Sequence, residues 1–157
     1  MSANLTARQQ HLVNAIRACL ARHSAAFDEG AEPVAEPIHV FDIRTTDPRL
    51  RVRILILDDA FHIEADEALL VRDLAAYPQG GDEAWTADCV SVLDKLLSED
   101  LRIRVRKPLL FSPTGAIWVP AGAGESGWSG EEGAVRGKGT EAVFPGWYLT
   151  VGARESR

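Results

Sequence analysis

The densest group of side chains able to bind a metal or exchange protons is Asp58, Asp59, His62, Glu64 and Asp66. Carboxylates beside an imidazole suit divalent cations, and the period of two in a strand over Phe61 to Glu64 would put His62 and Glu64 on one face. Asp58, His62 and Glu64 are therefore the candidate metal set of a small-ligand or metal-binding enzyme. The same residues also fit ordinary turn and capping chemistry, since Asp58-Asp59-Ala60 reads as a turn and Asp66 as a helix N-cap. That plainer reading ranks first, and no cofactor is expected.

Other catalytic spellings fail on context. Gly122-Ala123-Gly124-Glu125-Ser126-Gly127 has the dinucleotide-loop spacing but no helix after it, so its amides would lack a helix dipole. Gly133 to Lys138 falls one residue short of a phosphate loop and lacks the Ser or Thr that would hold magnesium. Ser126 and Ser129 lie outside any nucleophile-elbow pattern. Cys19 and Cys89 belong to no Cys-x-x-Cys pair and read as buried free thiols on apolar helix faces, with His23 a core-edge histidine.

Arg51 and Arg53 alternate with aliphatic residues in one segment, and Arg102, Arg104 and Arg106 do so in another. If the two strands were neighbours, the five guanidinium groups would line one sheet face and could hold a small anion. Nucleic acid is not expected, because the sequence pI is about 5.2 and no aromatic platform is interleaved with the arginines. Pairing with Asp42, Glu64 or other sheet acids is the simpler expectation.

Charge is distributed unevenly. Residues 58–100 carry twelve acids against two bases, a net of −10, while residues 1–57 carry +1 and residues 101–157 carry +3. A single-sign field attracts a partner of opposite sign. Asp73, Asp88 and Asp94 would then form an acidic helical docking face for a basic protein surface. Trp128, a large aromatic in a segment (121–141) with seven glycines, would be an anchor on a mobile loop. The expected function is a non-enzymatic protein-interaction module of the adaptor, immunity or secretion-chaperone kind. Solubility alone would also account for an acidic surface.

The elements that position these residues follow from period and punctuation. Thr6 and Gln9 form a capping-box pattern, and Leu12, Ile16, Cys19 and Leu20 recur at helical spacing. Ala25 to Pro37, with Gly30, Pro33 and Pro37, reads as a loop. Ile38 to Thr45 and Leu50 to Leu57 flank Thr46-Asp47-Pro48-Arg49 as a hairpin, with Phe61 to Glu64 a third strand. Leu70, Leu74 and Tyr77 suggest a helix from Asp66, and Trp85, Cys89, Val92, Leu93, Leu96 and Leu97 a second from Asp82. Leu101 to Arg106 alternates strictly as a strand. Leu109 to Phe111 and Ala116 to Val119 form a hairpin, and Ala142 to Val151 a last strand.

The result is an α+β fold, mainly an antiparallel sheet with helices packed on one face, in the order α-βββ-αα-ββ-loop-β. A chain of 157 residues, 46% hydrophobic and 25% charged, matches one globular domain over residues 1–157. No apolar run reaches the roughly 20 residues of a membrane span, and no signal-type start is visible. A cytoplasmic location is expected, and 14 Arg against 3 Lys fits a bacterial source.

Overall fold

The computed structural model describes residues 5–32, 38–58, 60–65, 70–75, 81–106, 114–118, 128–130 and 140–152. Helix α1 (Ala7–Arg22) begins at the expected capping box: Gln9 N donates to Thr6 Oγ1 at 3.2 Å, and Thr6 N donates to Gln9 Oε1 at 2.9 Å. Gln9 is itself buried and donates Nε2 to the Ile56 carbonyl at 3.3 Å. One side chain thus closes the helix start and fixes it to the sheet, satisfying donors that burial would otherwise orphan.

Strands β1 (Phe27–Glu32), β2 (Ile38–Ile43), β3 (Val52–Ile56), β4 (Ala60–Ala65) and β5 (Leu70–Ala75) form an antiparallel meander in sequence order. The register places Phe41, Ile54 and Ile63 side by side across it. With Ile43, Val52, Ile56, Phe61 and Ala65 they make one buried face, as period-2 alternation requires. Helix α2 (Gly81–Ser98) follows, then a second antiparallel sheet of β6 (Leu101–Arg106), β7 (Thr114–Trp118), β8 (Trp128–Gly130) and β9 (Thr140–Phe144), in the order β8-β7-β6-β9. Helices α1 and α2 lie against each other. Their apolar stripes join the meander, Leu101, Ile103 and Trp147 in one buried cluster. The α+β class, the antiparallel pairing and the burial of Trp85, Val92 and Leu96 are as expected.

Four local expectations are corrected, among them the last strand over Ala142 to Val151, which ends at Phe144. The helix expected over Asp66 to Tyr77 holds strand β5 instead: Leu70, Arg72 and Leu74 fit a period of two as well as Leu70 and Leu74 fit one helix turn. The open hydrogen-bonding edge of β4 decides between them, because β5 pairs along its full length, from Ala60↔Ala75 to Ala65↔Leu70. The loop expected over Ala25 to Pro37 contains β1, whose prolines lie beyond its end. The long loop expected over 121–141 contains β8 and the start of β9. Leu109 to Phe111 lies outside the described residues. The described order is therefore α, five strands, α, four strands. Among the described residues no helix is long and apolar enough to cross a membrane.

After β9 the chain turns at Pro145-Gly146, where Gly146 has a φ of +52°, a conformation glycine adopts without a Cβ clash. It then runs between the first sheet and α2. Ala26 N donates to Leu149 O at 2.8 Å and Leu149 N to Arg44 O at 2.8 Å, while Thr46 N donates to Trp147 O at 3.0 Å.

Candidate functional site

The structure separates most of the chemistry-bearing residues that the sequence singles out. His62 and Glu64 share a face of β4, as alternation predicts. Glu64, however, accepts from Arg53 Nη2 at 2.7 Å, its cross-strand partner. Asp58 is exposed in the bend after β3, and Asp59 and Asp66 lie outside the described residues. The ligand-type groups of the described residues that converge are three others, Cys19, His23 and Asp94.

The arginines do not form one stripe. Arg51 pairs with Asp42 at 3.3 Å and Arg53 with Glu64, both on the first sheet. Arg102 is exposed on β6 of the second sheet, opposite Val143. Strands β3 and β6 are not neighbours, so the shared face that would have held an anion is not assembled. Arg104 and Arg106 continue β6 at positions opposite Ala116 and Thr114, and their side chains lie outside the described residues. A groove of about 260 Å³ over Asp28, Val40, Asp42, Arg51 and Arg53 carries both signs of charge.

The acids divide into two groups. On the first sheet and its turns, Asp28 pairs with Arg44, Glu29 with Arg17, Asp42 with Arg51, Asp47 with Arg49 and Glu64 with Arg53. On α2 Asp94 meets His23, and Asp88 also has a partner. The exposed positions of this helix are Glu83, Ala84, Ala87, Ser91, Lys95 and Ser98, so the one acid among them is Glu83 in the first turn. Asp88 and Asp94 stand on its flanks, while Glu99 and Asp100 are exposed just past its end and meet no basic partner among the described residues. Among the described residues, exposed acids thus stand at both ends of α2, Glu83 in its first turn and Glu99 and Asp100 past its last. Asp73 is on strand β5 opposite His62, and Trp128 is in β8 opposite Trp118.

Cys19 and His23 are four residues apart at the end of α1, which stacks them on one side of the helix. Asp94 reaches them from α2, its Oδ1 2.6 Å from His23 Nε2. The three ligand atoms lie within 4.8 Å of one another. Cys19 is fully buried, the His23 side chain is 20% exposed and the Asp94 side chain 50% exposed. The group therefore opens to solvent on the aspartate side. The His23 hydrogen bond holds the Asp94 carboxyl below its ordinary range. Burial pushes the Cys19 thiol up, against an opposing pull from Arg22. Burial also pushes Cys89 up to about 12. Neither thiol is thereby activated as a free nucleophile.

The backbone beside this group is capped in a specific way. Ala25 N donates to Leu20 O and Ser24 N to Ala21 O, both at 3.0 Å. With Ser24 at a φ of 54°, this is a Schellman turn in which a serine occupies the position glycine usually takes. It fixes His23 at the helix end. Sequence reasoning missed the trio: the Cys19/His23 spacing is visible in the chain, but Asp94 is 71 positions away from His23 and joins only because α1 packs on α2.

The chain matches no family model, and no curated protein or solved structure shows similarity to it.

Proposed function

We propose that this chain is a non-enzymatic protein-interaction domain whose acidic end of α2 receives a basic surface on a protein partner. Glu99 and Asp100 carry the reading. They are exposed where the helix macrodipole is negative and favours cations, so each opposes the helix by about 0.3–1 kcal/mol. Lys95 is the basic residue of that last turn. Acids that give up stability in this way are useful if they meet positive charge from outside. The contrast with the first sheet and its turns supports the same reading, because there Asp28, Glu29, Asp42, Asp47 and Glu64 each have an arginine partner.

The test is affinity capture from the native cell, followed by association kinetics with the captured partner for wild type and for Glu99→Lys/Asp100→Lys. Electrostatic steering accelerates association by about 10-fold or more and fades with salt. The double variant should lose that acceleration at low salt and converge with wild type at high salt. An unchanged association rate at low salt would remove the acidic helix end as the docking surface.

A further inference from the structure

We infer that Cys19, His23 and Asp94 form a site for a thiolate-preferring divalent metal ion, zinc in chemical class, held between α1 and α2. The inference is independent of the docking surface, since it concerns a different group of side chains and is read out by metal alone. Sulfur, imidazole nitrogen and carboxylate oxygen are the three donor types that zinc takes, at bond lengths of about 2.0–2.3 Å. Tetrahedral geometry at those lengths spaces ligand atoms about 3.3–3.7 Å apart. The present separations bracket that range, from 2.6 Å between His23 Nε2 and Asp94 Oδ1 to no more than 4.8 Å within the group. They depart from that range by no more than about 1 Å.

The donors' charge and softness agree with the geometry, and the Arg22 guanidinium, which acts on both Cys19 and Asp94, would have to turn away from the ion. A thiolate and a carboxylate together neutralise a dication, and the Cys19 proton leaves to solvent as the metal–sulfur bond forms. A sulfur donor selects against magnesium and calcium, which take oxygen ligands. Three protein ligands leave a fourth position, and the half-exposed Asp94 side chain places that position toward solvent. The Schellman turn holds His23, and Cys19 lies one helical turn earlier on the same rigid element. Two of three ligands are thus positioned before the metal arrives, and Asp94 needs only to exchange its hydrogen bond for a metal bond. The competing account is a plain hydrogen bond between helices, with the thiol nearby by packing alone.

Cobalt(II) distinguishes the two, because thiolate coordination gives a charge-transfer band and tetrahedral geometry gives intense visible bands. The full-length chain, freed of metal by a chelator, should bind one cobalt ion with both signatures, and zinc should displace it. Asp94→Asn and His23→Gln should each weaken binding by more than about 100-fold, beyond the usual effect of changing a group that only supports a ligand. Cys19→Ser should remove the charge-transfer band, and Cys89→Ser should leave it intact. Because a hydroxyl at the buried Cys19 position could impair folding, the half-exposed Asp94→Asn, checked by circular dichroism, is the deciding variant. A wild-type titration without the charge-transfer band, or a folded Asp94→Asn chain that binds cobalt as wild type does, would overturn the site.

Discussion

The indole Nε1 of Trp147 donates to the main-chain carbonyl of Leu96 at 3.1 Å, across 51 residues of sequence. The next residue repeats the relationship, with the Tyr148 hydroxyl donating to Leu97 O at 2.8 Å. The last carbonyls of a helix have no partner within it. Here α2 is closed by two aromatic side chains from a segment that is also hydrogen-bonded to the first sheet. That segment therefore joins the helix end to Ala26, Arg44 and Thr46.

Trp147→Phe should keep much of the buried ring while leaving the Leu96 carbonyl without its donor, at a cost of about 1–3 kcal/mol. Trp147→Ala should cost about 3–5 kcal/mol, because Trp147 is 1% exposed and its volume would become a cavity. Urea titration measures both. Equal losses for the two variants would assign the whole effect to the hydrogen bond and none to packing.

The turn after α1 makes the opposite kind of prediction. Ser24 sits at a φ of 54°, where a Cβ costs about 1–2 kcal/mol relative to glycine. Its side chain is exposed. Ser24→Gly should therefore raise stability, by about 1 kcal/mol after the greater chain entropy of glycine is subtracted. A loss of stability would mean that the serine hydroxyl contributes more than the backbone conformation costs.

How far these features were legible depends on whether the deciding contact is local. Thr6 and Gln9 announce the start of α1 because the capping box spans only four residues, and Leu101 to Arg106 announces β6 because alternation is a property of the segment itself. Leu70 to Ala75 satisfies helix and strand periods alike, and only the vacant edge of β4 settles it. Phe27 to Glu32 has few strand-forming residues and is held by pairing with β2 and by Arg17 and Arg44, which bind Glu29 and Asp28. The same limit governs the sites. Arg51 and Arg102 look alike in sequence but belong to different sheets. Cys19 and His23 show their spacing, while Asp94 is brought to them by helix packing.

His39 gives a pH dependence. Burial lowers its pKa below the ordinary 6.5, against the pull of Glu29 on β1, while Arg17 on α1 adds to the lowering. Its Nε2 is 3.7 Å from Glu29 Oε1, too far for a hydrogen bond, and has no other partner among the described residues. Below about pH 6.5 the unfolded chain binds the proton more readily than the folded one, so stability contributed by neutral His39 falls as pH falls through that value. His39→Phe, which keeps an aromatic ring against Phe41 (centroids 5.0 Å apart in the wild type), should flatten stability between about pH 7.5 and 5.5. Urea midpoints across that range would show it. Parallel curves for the two proteins would exclude His39 as the source.

The acidic end of α2 can be tested for its cost to the fold without any partner. Glu99 and Asp100 stand where the backbone carbonyls already concentrate negative charge, and both are exposed. Replacing both with lysine should stabilise the isolated chain, by about 0.3–1 kcal/mol at each position at low ionic strength. The gain should shrink as salt is added, because the Debye length falls from about 30 Å at 0.01 M to about 10 Å at 0.1 M. A gain that survives at high salt would point to a cause other than charge, and Glu99→Gln/Asp100→Asn separates the terms by removing charge without adding any. If the neutral pair stabilises the chain about half as much as the lysine pair and both gains fade with salt, the acids oppose the helix electrostatically. If neither pair gains stability, Glu99 and Asp100 cost the fold nothing, and the reason for reading them as a surface kept for a partner disappears.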